Sequence, residues 1–447
     1  MDPAIVGAAV MAAMIILLLL RIPIAVSLIC AGFGGLVLVL TARGGGDLDA
    51  FGRALSAANH FLGDLAYSSV AEYTYTTIPM FLLMGYLATE GGFTRDIYAA
   101  ARMWFARVPG GLAVASAVGC TLFSAISGSS LATAAAMGRM AIPEMLHWKY
   151  DKGLASGIVA ASGTLGSLIP PSILMILYAV FTEQSVAKLF VAGVLPGMLS
   201  LGAYVLIVMI RVKINPQLAP PVPAVPMRDK IGSLRGIWGM LALIALVVTG
   251  LYTGMFTPSE AGGIGAMVAL LLCLFSGRIK FKGVVIAGEE TLKTTSMLFA
   301  AVLGAYMVTT FSALTGFAGE LTSWASSFEN VPPIVILAVL SVLYIVLGTF
   351  MGAIEIMLLT LPVVIPVIKG LGYDLIWFGI IMIKYLEIGL ITPPVGLNVF
   401  IIKAVTGDLI GMGQIFKGVA WFILMDIVVL AILILWPDIT LWLPSLM

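Results

Sequence analysis

The chain has 447 residues, of which 61% are hydrophobic and only 10% charged, with a mean hydropathy of +1.12. Soluble domains use roughly 45–50% apolar and ~25% charged residues, so a soluble fold is excluded. A formal net charge of +1 gives no footing for a nucleic-acid partner.

Taken in chain order, the first apolar run covers residues 4–20, follows Met1-Asp2-Pro3 and precedes Arg21. A secretory signal places its positive charge before the apolar stretch, so this run is expected to be an uncleaved helix with its N-terminus outside. Further apolar segments cover 22–41, 78–90, 153–183, 187–210, 236–254, 258–276, 294–315, 375–402 and 414–436. About 20 apolar residues cross the ~30 Å of a hydrocarbon core, so the length of the chain goes into spans in a lipid bilayer. Residues 41–77 read only as an outer connection with room for partner contacts. Cys30, Cys120 and Cys273 fall inside apolar segments and read as small buried hydrophobes, with neither disulfide nor metal spacing.

Segments 111–142 and 333–368 are too long for one span and too short for two. Each is interrupted, by Ser127-Gly128-Ser129-Ser130 in one and Gly348-Thr349-Phe350-Met351-Gly352 in the other. Both are expected to be re-entrant hairpins, which a bilayer tolerates where the tip is buried in protein or lines a cavity. With that topology, eighteen Lys and Arg residues fall inside, against Arg43, Arg53, Lys188 and Lys369 outside and Lys384 within a span. The positive-inside bias supports the trace and places both termini on the outer side.

Three proline landmarks repeat in one register. Val108-Pro109 recurs as Val331-Pro332, Ile142-Pro143 as Ile365-Pro366, and Pro170-Pro171 as Pro393-Pro394, each 223 residues on. The trace has the first hairpin entering from inside and the second from outside, so the halves are expected to be inverted copies, 1–212 and 236–447, as in secondary transporters. Residues 213–235 are the cytoplasmic linker, in which Asn215 to Pro226 (NPQLAPPVPAVP) favours extended polyproline conformation. Segments 93–107 and 317–329 read as interfacial amphipathic arms, the inner carrying Arg95, Arg102 and Arg107, the outer Glu320 and Glu329. The predicted fold class is therefore all-α and polytopic, each half pairing a hairpin with a Pro-Pro-broken helix, 153–183 and 375–402.

Those breaks carry the functional expectation. A proline lacks an N–H and clashes with the carbonyl four residues back, so the two pairs free the carbonyls of Gly166 and Ser167, and of Gly389 and Leu390. At membrane depth such carbonyls need protein, trapped water or a cation. Hard cations take several oxygens, while anionic solute groups favour helix N-termini with free N–H groups, and a broken helix supplies both. Ser124, Ser127, Ser129, Ser130 and Thr349 add hydroxyls from the tips, Thr164 and Thr392 from the broken helices. A lone Pro-Pro reads as a kink and a lone SGSS as close helix packing. Paired and duplicated, they read as an ion or substrate site.

Intramembrane charges are few: Glu355, Lys384, Glu387 and Asp426. Lys384 and Glu387 are three apart and can neutralise each other as a structural pair or touch substrate. Glu355, just past the second tip, is the acid nearest the expected site, its alternative role being to brace the hairpin. Asp426 reads as a packing cap.

At these residues the chain resembles the large membrane subunit of the tripartite ATP-independent periplasmic transporters, the DctM family. The resemblance rests on Ile78-Pro79-Met80-Phe81, the tip at 127–130, Gly163-Thr164-Leu165-Gly166 leading to Ile169-Pro170-Pro171-Ser172, and residues 387–398 (EIGLITPPVGLN). It implies an elevator-type carrier with sodium as coupling ion and no other cofactor, a small membrane subunit (DctQ-like), and a periplasmic solute-binding protein (DctP-like) delivering a carboxylate-bearing solute across the bacterial inner membrane. Position by position it implies one sodium site at Ser124, Ser127, Gly166, Ile169 and Pro171, and a second at Gly348, Gly389, Thr392 and Pro394. Ser129, Ser130, Thr164, Gly352 and Asn398 are the implied solute contacts, with Glu355, Lys384 and Glu387 as possible substrate or proton contacts. Lys384-Tyr385-Leu386-Glu387 departs from the family pattern, in which a small polar residue is expected near Tyr385.

The alternatives from the residues are a stand-alone sodium- or proton-coupled organic anion carrier, a passive channel, and an intramembrane enzyme. The enzyme reading lacks parts: the histidines are His60 and His147, with neither HExxH nor G-x-S-x-G present.

Overall fold

Long apolar segments must satisfy their backbone N–H and C=O groups internally, and this chain does so by forming helices. The computed structural model describes residues 3–20, 22–223, 225–316, 319 and 332–447. Its helices are α1 (Pro3–Leu19), α2 (Ile24–Arg43), α3 (Leu48–Ala71), α4 (Thr77–Glu90), α5 (Phe93–Phe105), α6 (Gly111–Ser127), α7 (Ser130–His147), α8 (Lys152–Thr164), α9 (Ile173–Thr182) and α10 (Val186–Ile214). After the linker come α11 (Met227–Tyr252), α12 (Pro258–Phe275), α13 (Phe281–Thr315), α14 (Pro333–Phe350), α15 (Ala353–Gly370), α16 (Leu375–Ile391), α17 (Leu397–Thr406), α18 (Met412–Leu435) and the short α19 (Asp438–Leu441). Among the described residues, α2, α10, α11, α12, α13, α15 and α18 are long and apolar enough to cross a membrane, as a multi-pass membrane protein requires.

The chain divides into two units. One comprises residues 1–76, 292–339 and 354–375. In it α2 and α13 cross closely: a Cβ on Gly32 would lie 2.6 Å from Met307 Cβ, and one on Gly304 2.5 Å from Leu28 Cβ. Small residues at such a crossing let backbones approach where burying apolar surface from lipid gives no drive. Arg43 ends α2 and donates to the Leu314 carbonyl at 2.6 Å, satisfying an acceptor that the end of α13 leaves open.

The other unit comprises 77–291, 340–353 and 376–447. Helices α6, α7 and α8 form its centre, with Cys120, Met137, Ile158 and Leu165 all fully buried. Helix α18 packs on α8 at Gly157, whose added Cβ would lie 2.5 Å from the Gly418 carbonyl carbon. Helix α12 packs on α4, joined by Thr77 and Ser259 hydroxyls 2.8 Å apart. On α5, Arg102 pairs with Glu144 of α7 at 2.5 Å, anchoring that amphipathic segment to the first helix pair.

Several expectations need adjusting. Residues 41–77 contain a helix of 24 residues, α3, started by Asp47 accepting from the Ala50 N–H at 2.6 Å. The linker takes a 3₁₀ turn at Pro216–Leu218, where Asn215 accepts from the Gln217 N–H at 3.2 Å; proline at the first helical position costs no bond there. The expected outer arm at 317–329, with Glu320 and Glu329, lies outside the described residues, as does Arg21. Each expected hairpin is a pair of helices of 17 or 18 residues. At 1.5 Å per residue these arms are about 26 Å long, slightly less than the hydrocarbon thickness.

Candidate functional site

The first tip is built by capping chemistry. Helix α6 ends where Gly128 takes φ +59° and returns its N–H to the Ser124 carbonyl at 2.9 Å, a conformation that glycine adopts without a Cβ penalty. Ser129 starts α7 by accepting the Ala132 N–H at 3.4 Å. Ser127 Oγ lies 2.9 Å from Thr133 Oγ1, and Ser124 donates to the Cys120 carbonyl at 2.6 Å. Ser130 reaches the first broken helix, 3.3 Å from the Thr164 carbonyl and 2.5 Å from Ser167 Oγ.

Across from this tip the helix breaks as expected, through a 3₁₀ turn at Leu165–Ser167 and a cis Pro170-Pro171 bond, before α9 begins. The backbones touch. A Cβ on Gly166 would stand 3.2 Å from the Ser129 carbonyl, and one on Gly128 2.9 Å from the Pro171 carbonyl. Ser124, Ser127, Gly166 and Pro171 thus belong to one buried region, with Ile169 half-buried at its edge. One expectation is corrected: the Ser167 carbonyl is not left for a ligand, because Ser172 donates to it at 2.6 Å while also capping α9. The Gly166 carbonyl receives no such side chain among the described residues.

The second tip repeats the theme with different atoms. A Cβ on Gly348 would lie 2.6 Å from Gly389 Cα, and one on Gly389 2.5 Å from Gly348 Cα. The Gly396 N–H bonds the Thr349 carbonyl at 3.4 Å, across from the break at the cis Pro393-Pro394 bond. Here too one freed carbonyl finds a partner, since the Thr392 N–H bonds Gly389 at 3.1 Å; the Thr392 hydroxyl donates to Ile388 at 2.6 Å. Gly352 lies between α14 and α15. Glu355 is in the first turn of α15 and belongs to the other unit.

Asn398 is fully buried, and its Nδ2 donates to the Ala160 carbonyl at 3.2 Å. That bond fixes the amide, because a flip would set two acceptors against each other. Its Oδ1 has no hydrogen-bond partner among the described residues. Asn398 therefore offers an acceptor, suited to a hydroxyl, an ammonium or a cation rather than to a carboxylate. Serine and threonine hydroxyls that donate into their own helix likewise keep lone pairs for a cation. The oxygen set at both tips is neutral and hard, chemistry that suits a hard cation.

Lys384 and Glu387 do pair, Nζ to Oε2 at 3.0 Å, but the pair is part of a larger cluster. Lys384 also meets Asp426 of α18 at 2.6 Å, and the Tyr204 hydroxyl of α10 lies 2.7 Å from both Asp426 oxygens. All four residues are fully buried. Asp426 is thus an ionic partner, which reading it as a packing cap missed. The sequence signal was there: an acid alone in one apolar span requires a cation in another.

The profile of the tripartite ATP-independent periplasmic transporter, DctM component, matches residues 11–439. The chain belongs to the DctM family. It is 38% identical over 385 residues to the C4-dicarboxylate TRAP transporter large permease protein DctM of Pseudomonas aeruginosa, covering 85% of this chain and 88% of that one. The sialic acid TRAP transporter large permease protein SiaM of Vibrio cholerae is 30% identical, over 88% of this chain and 91% of its own. The ectoine/5-hydroxyectoine TRAP transporter large permease protein UehC of Ruegeria pomeroyi is also 30% identical, over 98% and 99%. The crystal structure of the Alcanivorax borkumensis YdaH transporter aligns with a TM-score of 0.63 over 98% of both chains at 15% identity, a likeness of fold alone.

The DctM match spans both tips, both breaks and the ionic cluster. Tyr385, where a small polar residue was expected of this family, is fully buried and stacks on Tyr344 with ring centroids 5.6 Å apart and planes at 18°. Tyr344 and Gly348 on α14 face Tyr385 and Gly389 on α16, one turn apart on each. Tyr385 thus serves the seam between these helices.

Proposed function

We propose that this chain is the large permease of a sodium-coupled uptake system, a transporter and not an enzyme. It works with a small membrane subunit and a periplasmic solute-binding protein in the bacterial inner membrane, both termini periplasmic. The observation that carries the reading is the paired backbone approach: each hairpin tip lies against a Pro-Pro-broken helix, at Gly166 with Ser129 and at Gly348 with Gly389. This arrangement gathers neutral oxygens from two elements at each break. The first gathering, Ser124, Ser127, Gly166, Ile169 and Pro171, holds one sodium ion, and Gly348, Gly389, Thr392 and Pro394 hold another. Movement of a transport domain, built from the hairpins and broken helices, against a scaffold of the remaining helices supplies alternating access in the manner of an elevator.

The solute is a small carboxylate-bearing molecule. C4-dicarboxylates and sialic acid, in the names of the relatives above, both fit that class. Ser129, Ser130, Thr164 and Gly352 are the proposed solute contacts, and Asn398 takes one of the solute's hydroxyl or ammonium hydrogens. Of the two readings of Lys384 and Glu387, a structural pair or a solute contact, the pair is favoured here because Lys384 is shared between Glu387 and Asp426.

In proteoliposomes containing the small subunit, with binding protein outside, uptake is expected to require an inward sodium gradient and to survive a protonophore. Sodium-independent uptake abolished by the protonophore would overturn the coupling. Ser127→Ala removes one oxygen from the first site without adding charge. A loss of ~1.4 kcal/mol in ion binding raises the half-saturating sodium concentration about tenfold, readily read from a sodium titration. An unchanged titration in a folded variant would place the ion elsewhere.

A further inference from the structure

Helices α11 and α12 are both long and apolar enough to cross a membrane. Joined by a short turn, they pack closely, and a Cβ on Gly239 would fall 3.1 Å from Leu272 Cδ2. Where the first part of α11 meets the end of α12 and Phe93 of α5, they line a cavity of about 250 Å³. Two guanidinium groups face it, Arg235 on α11 and Arg278 just past the end of α12.

The two are not equivalent. Arg278 pairs with Asp96 of α5 and lies over the Phe93 ring, 4.7 Å from its centroid, so its charge is balanced and its plane is held. Arg235 is exposed and has no hydrogen bond or ion pair among the described residues. The cavity therefore carries one unbalanced positive charge, and both guanidinium groups keep donors for an oxyanion.

The apolar surroundings indicate which oxyanion. Trp238 follows Arg235 by three residues on α11 and is 64% exposed, and Phe275 precedes Arg278 by three and is 86% exposed, with Leu271 and Leu274 also exposed. Because the helices run in opposite directions, both place charge nearer the membrane surface and apolar side chains deeper. A free aqueous anion has no use for that gradient, whereas a phospholipid matches it from headgroup to chains. Interfacial tryptophans and basic pockets between spans suit such headgroups. A zwitterionic headgroup would set its own ammonium against Arg235, so an acidic one fits better.

We propose that the cavity between α5, α11 and α12 binds the phosphate of an acidic phospholipid, whose chains lie along Trp238 and Phe275. This binding is independent of the ion and solute that are carried.

Bromine on an acyl chain quenches the fluorescence of an indole that it touches, so vesicles read the contact directly. The large and small subunits are reconstituted together in phosphatidylcholine containing a small fraction of brominated phosphatidylglycerol or brominated phosphatidylcholine. The difference between the wild-type complex and Trp238→Phe isolates the Trp238 signal. The acidic lipid is expected to quench it at a mole fraction about fivefold lower than the zwitterionic one, as one unbalanced basic charge at a membrane surface implies. Arg235→Gln leaves Arg278 and Asp96 to balance each other and should abolish the preference. Arg228→Gln, at the start of α11 and outside the cavity, should retain it. Equal quenching by the two lipids in the wild type, a preference kept in Arg235→Gln, or one lost in Arg228→Gln would each overturn the proposal. So would the absence of quenching by either lipid, which would assign this face to the small subunit. Arg235 and Trp238 are both exposed, so neither substitution opens the core, and the headgroup comparison in the wild type can by itself overturn the proposal.

Discussion

Replacing Lys384 with methionine is expected to be among the most damaging single changes in this protein. It leaves Glu387 and Asp426 facing each other, fully buried, without the cation that both contact. Removing one partner of a buried ionic group costs about 3–5 kcal/mol, because a charge is left uncompensated. The measurement is the midpoint of heat-induced loss of the monodisperse protein in detergent. Asp426→Asn, which leaves one cation facing one anion, should be milder. Equal losses in the two variants would show that packing rather than charge holds the cluster.

A comparable effect is expected at the glycine pair between α14 and α16. A methyl group on either Gly348 or Gly389 would enter the backbone of the other helix, at 2.6 and 2.5 Å from the facing Cα. Backbone cannot swing aside as a side chain can, so the helices must separate. Overpacking of this kind costs typically about 1–3 kcal/mol, occasionally more. It would also disturb the Tyr344–Tyr385 stack one turn away. Gly348→Ala and Gly389→Ala should each lower thermal stability and uptake. The double variant should lose less than the sum, since one separation makes room for both methyls. Gly202→Ala is the control: it has nothing within 4 Å, and alanine is favoured over glycine within a helix by about 0.8–1.0 kcal/mol. If Gly389→Ala behaves like that control, the close approach is not a constraint.

Much of this was legible in the residues because membrane solvent leaves few options. Apolar runs must become helices, and a proline pair within a run must break one, so the helices on either side of Pro170-Pro171 and Pro393-Pro394 follow from the residues alone. Interrupting Gly and Ser residues marked the tips, and the motifs at 163–172 and 387–398 carried the family. Helix α3 was missed because its apolar residues are mixed with Asp49, Arg53, His60 and Asp64, leaving no continuous apolar run to notice.

What the sequence by itself determined is the class of molecule, the positions of the breaks and tips, and the oxygen-bearing residues near them. Those follow from local chemistry: hydropathy, the missing proline N–H and the hydroxyls of the tips. Only the tertiary structure decided which oxygens already have partners and which charges meet. Ser172 takes the Ser167 carbonyl and Ala160 fixes the Asn398 amide, while Tyr204 and Asp426 turn a local Lys384–Glu387 pair into a four-residue cluster. Except for the Ser172 bond, these contacts join residues far apart in the chain, and no periodicity or motif specifies them. They are set where helices pack, because a buried polar group takes whichever partner the fold brings within reach.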